Sequence, residues 1–253
     1  MDNKKVNENI IEGRNAVLEA FRSGKPVDKL YVLDGCQDGP VRTIVREARK
    51  HDTIIQFVEK ERLAQLSETG RHQGVIAYAA AYEYSEVSDM VELARERGED
   101  PFIILLDNIE DPHNLGAIIR TANLAGAHGV IIPKRRAVGL TATVAKTSAG
   151  ALNYTPVAKV TNLKKTMEEL KKEGLWFVCA DMGGEAMYDL NLTGPIGLVI
   201  GNEGEGVSRL VKETCDFVAS IPMKGDIDSL NASVATGVLA YEIVRPVSYT
   251  HLR

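Results

Sequence analysis

Cysteine and histidine are too few and too scattered in this chain to suggest a metal site or a disulfide framework. The three cysteines, Cys36, Cys179 and Cys215, are odd in number and share no CxxC spacing, and the five histidines form no HExxH pair. Zinc sites and disulfide-rich scaffolds depend on such spacings. We therefore expect buried thiols in a reducing cytosol, and we assign no metal.

Long apolar runs are also lacking, and aromatic residues make up only 6% of the chain. No segment approaches the ~20 apolar residues of a membrane-spanning helix, and residues 1–10 have no apolar stretch of the kind found in signal peptides. The 253 residues are 44% hydrophobic, so the core must be mainly aliphatic. These features predict a cytoplasmic protein of one or two domains without membrane association.

An excess of positive charge is the third missing feature, because the net charge is −5 at pH 7. Residues 1–84 contain 13 basic and 13 acidic residues, and the remainder contains 17 and 22. Any contact with a nucleic acid would therefore depend on local basic patches. The best candidate is Lys134-Arg135-Arg136, which follows an apolar run. Alone it would be read as a solvated loop, but its position favours a phosphate contact.

Alternating helix and strand patterns divide the chain into two α/β regions. Residues 6–82 predict a small module in which Arg14, Asn15, His72 and Gln73 serve either as caps and turns or in function. The mixed charge of residues 82–101 predicts a hinged linker that contains a short helix. Beyond it, βα units beginning with the apolar strand 102–106 predict a parallel, doubly wound sheet.

Two apolar runs near the end of the chain, Leu198–Ile200 and Phe217–Ile221, predict strands of that sheet, and a polar loop follows each. Ligands of open α/β sheets bind at such loops. The first loop, 201–206, has neither the Rossmann nor the P-loop glycine order, and its two glutamates would repel phosphate. A cation or a hydroxyl-rich ligand suits it better. Candidate functional side chains in the two loops are Glu203, Ser229 and Asn231, the last two also being plausible helix caps.

Three sequence motifs carry a resemblance to a known family. IGNEGEGVSRL and IPMKGDIDSLNASVA resemble motifs two and three of the SpoU/TrmH family of S-adenosylmethionine-dependent RNA ribose 2′-O-methyltransferases. DNIEDPHNLGAIIRTA, residues 107–122, matches the N-x-G-x-x-x-R-T-A core of motif one. Without the other motifs, Asn114 would be read as a helix cap and Arg120 as a surface charge.

The resemblance implies a fold and a domain plan. The fold is the SPOUT α/β-knot, a parallel sheet with a deep trefoil knot, which no periodicity argument would propose. The first module resembles the L30e-like substrate-binding domain of one branch of the family. GRNAV and HQGV are most like the RlmB branch, which methylates a guanosine of bacterial 23S rRNA. The predicted divisions are an RNA-binding domain (1–84), a linker (85–101), a methyltransferase domain (102–245) and an atypical tail (246–253).

The resemblance also implies site residues, a cofactor and partners. It assigns S-adenosylmethionine as cofactor, rRNA as substrate and a homodimer formed through the catalytic domain, with Val234, Val238 and Leu239 available for packing. The catalytic candidates are Asn114, Arg120, Glu203, Ser229 and Asn231. In this scheme Glu203 orients Arg120 or the ribose. The cofactor-binding candidates are Gly201, Ile221 and Leu230.

Other functions stay open at the level of sequence. A tRNA ribose 2′-O-methyltransferase would carry the same motifs, and a non-catalytic RNA-binding protein of ribosome assembly would use the same first module. A phosphate-binding α/β enzyme is a further class, although its loop would need a cation that residues 201–206 lack.

Overall fold

The two regions expected from the sequence form two units in a computed structural model that describes residues 9–227 and 229–250, with side chains to Arg245. Within the described residues, the first unit comprises 9–83 together with 139–142, and the second comprises 84–138, 143–227 and 229–250.

The first unit is built on a four-stranded mixed sheet with strand order β1-β4-β2-β3. Its strands are Ile10–Glu12 (β1), Val27–Leu33 (β2), Ile54–Val58 (β3) and Val75–Ala79 (β4). β2 and β3 are parallel, whereas β4 is antiparallel to β1 and to β2. Only β1 was not expected, since three residues are too short to display an alternating pattern.

Three helices complete the first unit: Arg14–Arg22 (α1), Gly39–Lys50 (α2) and Lys60–Leu66 (α3). Alternate residues of β2 and β4 pack against α1 and α2 in an aliphatic core that includes Leu30, Val32 and Ile44. Asp38 caps α2, because its carboxylate accepts a hydrogen bond from Val41 N at 3.1 Å. The small apolar core is therefore supplemented by defined polar contacts.

The GRNAV and HQGV segments meet in one of these polar contacts. Arg14 donates from its backbone N to Gln73 Oε1 at 3.1 Å and from Nε to Gln73 O at 3.0 Å, and it forms an ion pair with Asp38 at 2.6 Å. His72 Nδ1 accepts from Gly74 N at 3.1 Å. Turn and anchoring chemistry thus accounts for Arg14, His72 and Gln73.

The second unit contains a six-stranded, wholly parallel sheet with strand order β10-β8-β9-β5-β6-β7. Its strands are Phe102–Asp107 (β5), Gly129–Pro133 (β6), Val157–Val160 (β7), Trp176–Ala186 (β8), Ile196–Gly201 (β9) and Phe217–Ser220 (β10). All six residues of β5 are buried, as expected for a central strand that is covered on both faces. This is the predicted parallel α/β architecture.

Six α-helices and a short 3-10 helix, Ala151–Asn153, surround the described part of this sheet. The α-helices are Val87–Arg97 (α4), Pro112–Leu124 (α5), Ala142–Thr147 (α6), Leu163–Lys172 (α7), Arg209–Lys212 (α8) and Ala232–Thr250 (α9). No helix among the described residues is long and apolar enough to cross a membrane.

The segment predicted as a linker differs from a hinge. Most of residues 85–101 form α4, whose Met90 and Ala94 are fully buried. Met90 belongs to the aliphatic core of the second unit, beside Ile103 and Ile131. The short helix was expected here, but its burial was not, because its composition is mostly polar and only a few of its side chains face inward.

The end of the chain brings two further differences. Leu239 was expected to be available for packing between subunits, but it is fully buried within its own chain, so it belongs to the core. The tail predicted to begin at residue 246 continues the backbone of α9 as far as Thr250, and residues 251–253 lie outside the described part.

Candidate functional site

The functional candidates gather at the carboxyl edge of the parallel sheet. β5 and β9 are neighbours, and their last residues, Asp107 and Gly201, are partners in the register. Three loops leave this edge: the β5 loop (108–111), the β9 loop (202–208) and the β10 loop (221–231, apart from residue 228). Ligands of open α/β sheets bind at this edge, as the sequence predicted.

Helix α5, which follows the β5 loop, contains two of the candidate residues. Asp111 caps this helix, since its carboxylate accepts from His113 N at 2.9 Å, and Pro112 begins the first turn. Asn114 is therefore not the cap, and it is 9% exposed. Arg120 lies further along α5 and is exposed. Within the described residues, no hydrogen bond or ion pair occupies its guanidinium.

The carboxylate of Glu203 joins the three motifs in one hydrogen-bond network. Its Oε1 accepts from Asn114 Nδ2 at 2.9 Å, from Asn231 Nδ2, and from Ala232 N at 3.2 Å. Asn231 Nδ2 also donates to Asn114 Oδ1 at 3.0 Å. The three side chains come from positions 114, 203 and 231, so the fold unites residues that lie far apart in the sequence.

This network gives Glu203 partners that the sequence did not indicate. The carboxylate was expected to orient Arg120 or the ribose, yet the structure gives it no contact with Arg120 among the described residues. Its acceptor atom is instead occupied by two asparagine amides and the first backbone N–H of α9. Glu203 thus orders Asn114 and Asn231, and Arg120 keeps its donors for another partner.

The β10 loop contains the remaining candidates. Asn231 caps α9, because its Oδ1 accepts from Ser233 N at 3.0 Å and from Ser233 Oγ at 2.6 Å. Ser229 is exposed, and Leu230 and Ile221 are half-buried. Ser229 makes no hydrogen bond to a described residue, so its hydroxyl is available to a ligand.

Gly201 is required by a close approach of the backbone. A Cβ atom built on it would lie 2.1 Å from the carbonyl carbon of Gly206 and 2.2 Å from Val207 N. Any side chain at this position would therefore push the β9 loop away from its strand. Gly201 therefore allows the β9 loop to pack directly on the end of its own strand.

Two residues that shape the β9 loop were not among the predicted site residues. Asn202 donates from Nδ2 to Asn108 O at 3.1 Å, and the buried carboxylate of Asp107 accepts from Ser208 N at 2.7 Å. Both bonds tie the β9 loop to the end of β5. Asn and Asp are common in loops for turn chemistry alone, so their residue types gave no signal.

A third strand end at this edge was also missed. β8 pairs with β10 in two stretches, and the register shifts between Val218 and Ala219. Residues 180–184 therefore form a bulge in β8 between the two paired stretches. Lys212 forms a 2.7 Å ion pair with Asp181 in this bulge, and the hydrogen bond from Lys212 lowers the pKa of the Asp181 carboxyl. The Gly183-Gly184 pair was the only sequence signal for it.

The basic triplet lies at the same edge of the sheet, after β6. Arg135 and Arg136 are exposed, and Arg136 adopts the left-handed conformation with φ 55°. Since β6 is adjacent to β5, these cations border the β5 loop. Their position fits the predicted contact with a phosphate group.

The charge of the β9 loop suits an organic cation better than a polyphosphate. In the described part of the chain, no group of three or more His, Cys, Asp or Glu side chains could hold a metal. The β9 loop contributes two carboxylates, Glu203 and Glu205, and no cation. A positively charged sulfonium compound is compatible with this electrostatic setting, whereas a bare polyphosphate is not.

Comparison with known families matches both parts of the chain. Residues 101–241 match the SpoU rRNA Methylase family, and residues 10–85 match the family of RNA 2′-O ribose methyltransferase substrate-binding domains. The second match covers the first unit, and the first covers the sheet and all three loops of the site.

Individual relatives agree over almost the whole length. A Bacillus subtilis (strain 168) protein, YacO, named as a TrmH family tRNA/rRNA methyltransferase, is 50% identical over 234 residues, 92% of this chain and 94% of its own. A Staphylococcus saprophyticus protein of the same description is 45% identical over 96% of this chain and 98% of its own.

A solved structure adds the cofactor. The SpoU methyltransferase AviRb from Streptomyces viridochromogenes, crystallised with S-adenosylmethionine, is 26% identical, and the comparison covers 95% of this chain and 90% of AviRb with a TM-score of 0.60.

Proposed function

The chain belongs to the SpoU rRNA methylase family, and from this premise we propose that it methylates a ribose 2′-hydroxyl of 23S rRNA at a guanosine. It is an RNA methyltransferase whose cofactor is S-adenosylmethionine. The observation that supports the catalytic proposal most is the Asn114–Glu203–Asn231 network, which joins the three motifs at the end of the sheet. A non-catalytic RNA-binding protein would have no need for this arrangement.

The cofactor supplies an electrophilic methyl group carried by a positively charged sulfur. We assign cofactor binding to the carboxyl ends of β8, β9 and β10, with Gly201, Ile221 and Leu230 as lining residues. Gly201 contributes backbone at the end of β9, and half-buried Ile221 and Leu230 offer apolar surface for an adenosine group. The nearby Glu203 and Glu205 favour a cation over an anion at this edge.

Arg120 acts on the RNA side of the proposed site. A guanidinium stays protonated in protein sites, so Arg120 is a poor general base. Its exposed fork is free to hold the phosphate next to the target ribose in a bidentate contact. It would also stabilise the negative charge that develops on the 2′-oxygen as its proton passes to solvent water.

Asn114 and Ser229 hold the ribose in this proposal. Glu203 accepts from both asparagine amides, which fixes the orientation of Asn114 and Asn231. Asn231 has used both amide hydrogens and its oxygen, whereas Asn114 keeps one amide hydrogen and one acceptor site, which with the hydroxyl of Ser229 can position the sugar for in-line attack. The fixed orientation matters because misplacement by about 1 Å can cost ~100-fold in rate.

RNA selection is assigned to the first unit together with the basic triplet. The first unit matches a substrate-binding family, yet its 1–84 segment is electrically neutral. The cations Lys134, Arg135 and Arg136 would add the phosphate contacts that it lacks. The substrate of such an enzyme is found in the bacterial cytosol, where we expect this protein to act.

Radiolabelled S-adenosylmethionine with separate pools of 23S rRNA and tRNA tests the function. We expect label in 23S rRNA, recovered after nuclease digestion as 2′-O-methylguanosine, and none with Arg120→Ala. Label confined to tRNA would support the tRNA alternative. RNA binding without label in either pool would support the non-catalytic one.

The identity of the base catalyst can be tested at the same residue. Arg120→Lys keeps the charge but loses the planar fork, and a lysine can release a proton. We expect the rate of this variant to stay low at every pH. Recovery of its rate as the pH rises would favour a general base at position 120 over phosphate positioning.

We also propose that the protein forms a homodimer through α9. Val234 and Tyr241 are 50% and 53% exposed, and with half-buried Val238 they form a stripe at i, i+4 and i+7. Light scattering should give a dimer for the wild type and a monomer for Val234→Glu. The matched control is Leu210→Glu, on α8, which is 57% exposed and should stay dimeric.

A further inference from the structure

Asn202, the first residue of the β9 loop, uses both ends of its side-chain amide. Its Nδ2 donates to Asn108 O in the β5 loop at 3.1 Å, and its Oδ1 accepts from Gly204 N at 2.8 Å and Glu205 N at 3.3 Å. The same side chain therefore folds its own loop and fastens that loop to its neighbour. Asn108 presents its carbonyl from the left-handed conformation, with φ 61°.

The backbone closes the same loop at both ends. Asn202 and Gly206 exchange backbone hydrogen bonds of 3.2 and 2.8 Å, and Ser208 N is held by Asp107 Oδ2 at 2.7 Å. This leaves Glu203 at the tip of a tight turn. Glu203 is exposed, so packing cannot set its direction. The turn sets it instead.

The direction of Glu203 determines whether the three motifs meet. Its Oε1 accepts from Asn114 Nδ2 at 2.9 Å and from Ala232 N at 3.2 Å, and it also accepts from Asn231. Hydrogen bonds weaken steeply beyond about 3.2 Å, so a small shift of the turn would release one of these partners. Asn202 makes no contact with Asn114 or Asn231 itself.

We propose that Asn202 is a positioning residue for methyl transfer, which acts through Glu203 by fixing the β9 loop on the β5 loop. The inference rests on the proposed function. Asn202 orders the carboxylate, the carboxylate orders Asn231 and Asn114, and Asn114 contacts the ribose with its remaining amide hydrogen. Loss of the Asn202 amide should therefore lower kcat and leave the KM for S-adenosylmethionine close to that of the wild type.

Two variants of Asn202 separate its contacts. Asn202→Ala removes all three side-chain hydrogen bonds, whereas Asn202→Asp keeps an acceptor for Gly204 N and Glu205 N but cannot donate to Asn108 O while ionised. We expect kcat to fall by at least about tenfold in both variants. Full activity of Asn202→Asp would overturn the role of the bond between the loops.

A matched control addresses a purely structural role. Asn191, in the loop before β9, also folds a local turn, since its Oδ1 accepts from Thr193 N at 3.2 Å and Thr193 Oγ1 at 2.6 Å. Asn191→Ala should lower the melting temperature about as much as Asn202→Ala and leave kcat unchanged. If both variants lose stability and neither loses kcat, the positioning role is wrong.

A double-mutant cycle with Glu203→Ala tests the route of action. If Asn202 acts through Glu203, its removal should have no further effect once the carboxylate is gone, and Asn202→Ala/Glu203→Ala should match Glu203→Ala within about twofold. Multiplicative losses would overturn the inference. Failure of the proposed function would be seen separately, because the wild-type protein itself would then transfer no methyl group to RNA.

Discussion

The β9 and β10 loops leave the same edge of one sheet but are held in opposite ways. The β9 loop is closed by its own backbone and tied to β5 through Asn202 and Ser208. In the β10 loop, none of residues 221–227 and 229–230 forms a hydrogen bond to a described residue, and Ile227 is 78% exposed. The loop that carries the carboxylate is preorganised, whereas the loop assigned to the cofactor keeps backbone groups and apolar side chains for its ligand.

The difference suits the order of events in a two-substrate reaction. A group that must orient catalytic amides gains from being fixed before the substrates arrive. A loop that surrounds a small molecule can gain its order from that molecule, because burying exposed apolar side chains such as Met223 and Ile227 stabilises the closed form. We therefore expect the two loops to respond differently to mutation and to cofactor.

The largest effect should come from adding one methyl group to the rigid loop. Gly201→Ala would place Cβ 2.1 Å from the carbonyl carbon of Gly206, so the loop must move. We expect a loss of more than about 100-fold in kcat/KM and of about 1–3 kcal/mol in the free energy of unfolding. Steady-state kinetics and urea titration measure the two quantities.

The β10 loop supplies the control for that substitution. A Cβ on Gly225 would meet nothing within 4 Å, so Gly225→Ala should change stability by less than about 1 kcal/mol. Equal losses from the two alanine substitutions would remove the proposed contrast between the loops.

The next effect compares two glutamates of the β9 loop. Glu203 accepts three hydrogen bonds, and the side chain of Glu205 is exposed. Glu203→Ala should lower kcat by about 100-fold, which is typical for loss of a preorganised polar group, with little change in cofactor affinity. Calorimetry with S-adenosylmethionine checks the affinity.

Glu205→Ala is the charge-matched control, because it removes one carboxylate from the same loop without touching the network. We expect its kcat to stay within about twofold of the wild type. A comparable loss in both variants would mean that the loop acts by its charge and not by the hydrogen bonds of Glu203.

A smaller, non-catalytic effect should be visible by hydrogen exchange. With the cofactor at 100 times its Kd, exchange of the β10-loop amides should slow by up to about 100-fold, because binding stabilises the bound form. The amides of Asn202 and Gly206 are already hydrogen-bonded and should change much less. Equal protection of both loops would show that the cofactor also orders the β9 loop.

The smallest effect is a loss of stability at acidic pH. It tests whether a less stable sheet changes the difference in hydrogen exchange between the β9 and β10 loops. His128 is 2% exposed at the amino edge of the sheet, and burial lowers its pKa below the ordinary value of 6.5, partly offset by Glu99. Its Nδ1 accepts from Phe102 N at 3.0 Å, which only the neutral ring can do.

The folded state therefore binds fewer protons than the unfolded state just below pH 6.5. Stability from His128 is fully present above that pH and falls on acidification. Urea titrations at pH 7.5 and 5.5 should show this loss, and His128→Gln should reduce it. The exchange contrast between the loops should persist at both values of pH.

Most strands and helices could be predicted from the sequence, because apolar runs such as 102–106 leave little alternative in a parallel sheet. The elements that were missed have weak local signals. β1 has three residues, and β7 has only four, Val157–Val160. The trefoil knot stays a prediction.

Three of the predicted site residues are joined in the structure, but the hydrogen bonds between them could not be predicted. Motif resemblance selected Asn114, Glu203 and Asn231, and the structure brings them together. It could not show that Glu203 faces asparagines in place of Arg120, because that depends on the direction of a turn. The turn is set by Asn202 and Gly206, whose contacts are between backbone and side-chain atoms and leave no periodic pattern.

The packing of α4 has a practical consequence for anyone who dissects the protein. A Cβ on Gly129 would lie 2.3 Å from the sulfur of Met90. The glycine in β6 therefore leaves the space that the Met90 side chain occupies. A fragment cut at residue 101, where the methylase match begins, would leave an empty notch over Gly129 and bare the aliphatic side chains of Ile103 and Ile131 to water. Such a fragment should aggregate, and a catalytic fragment should start no later than residue 84, before α4.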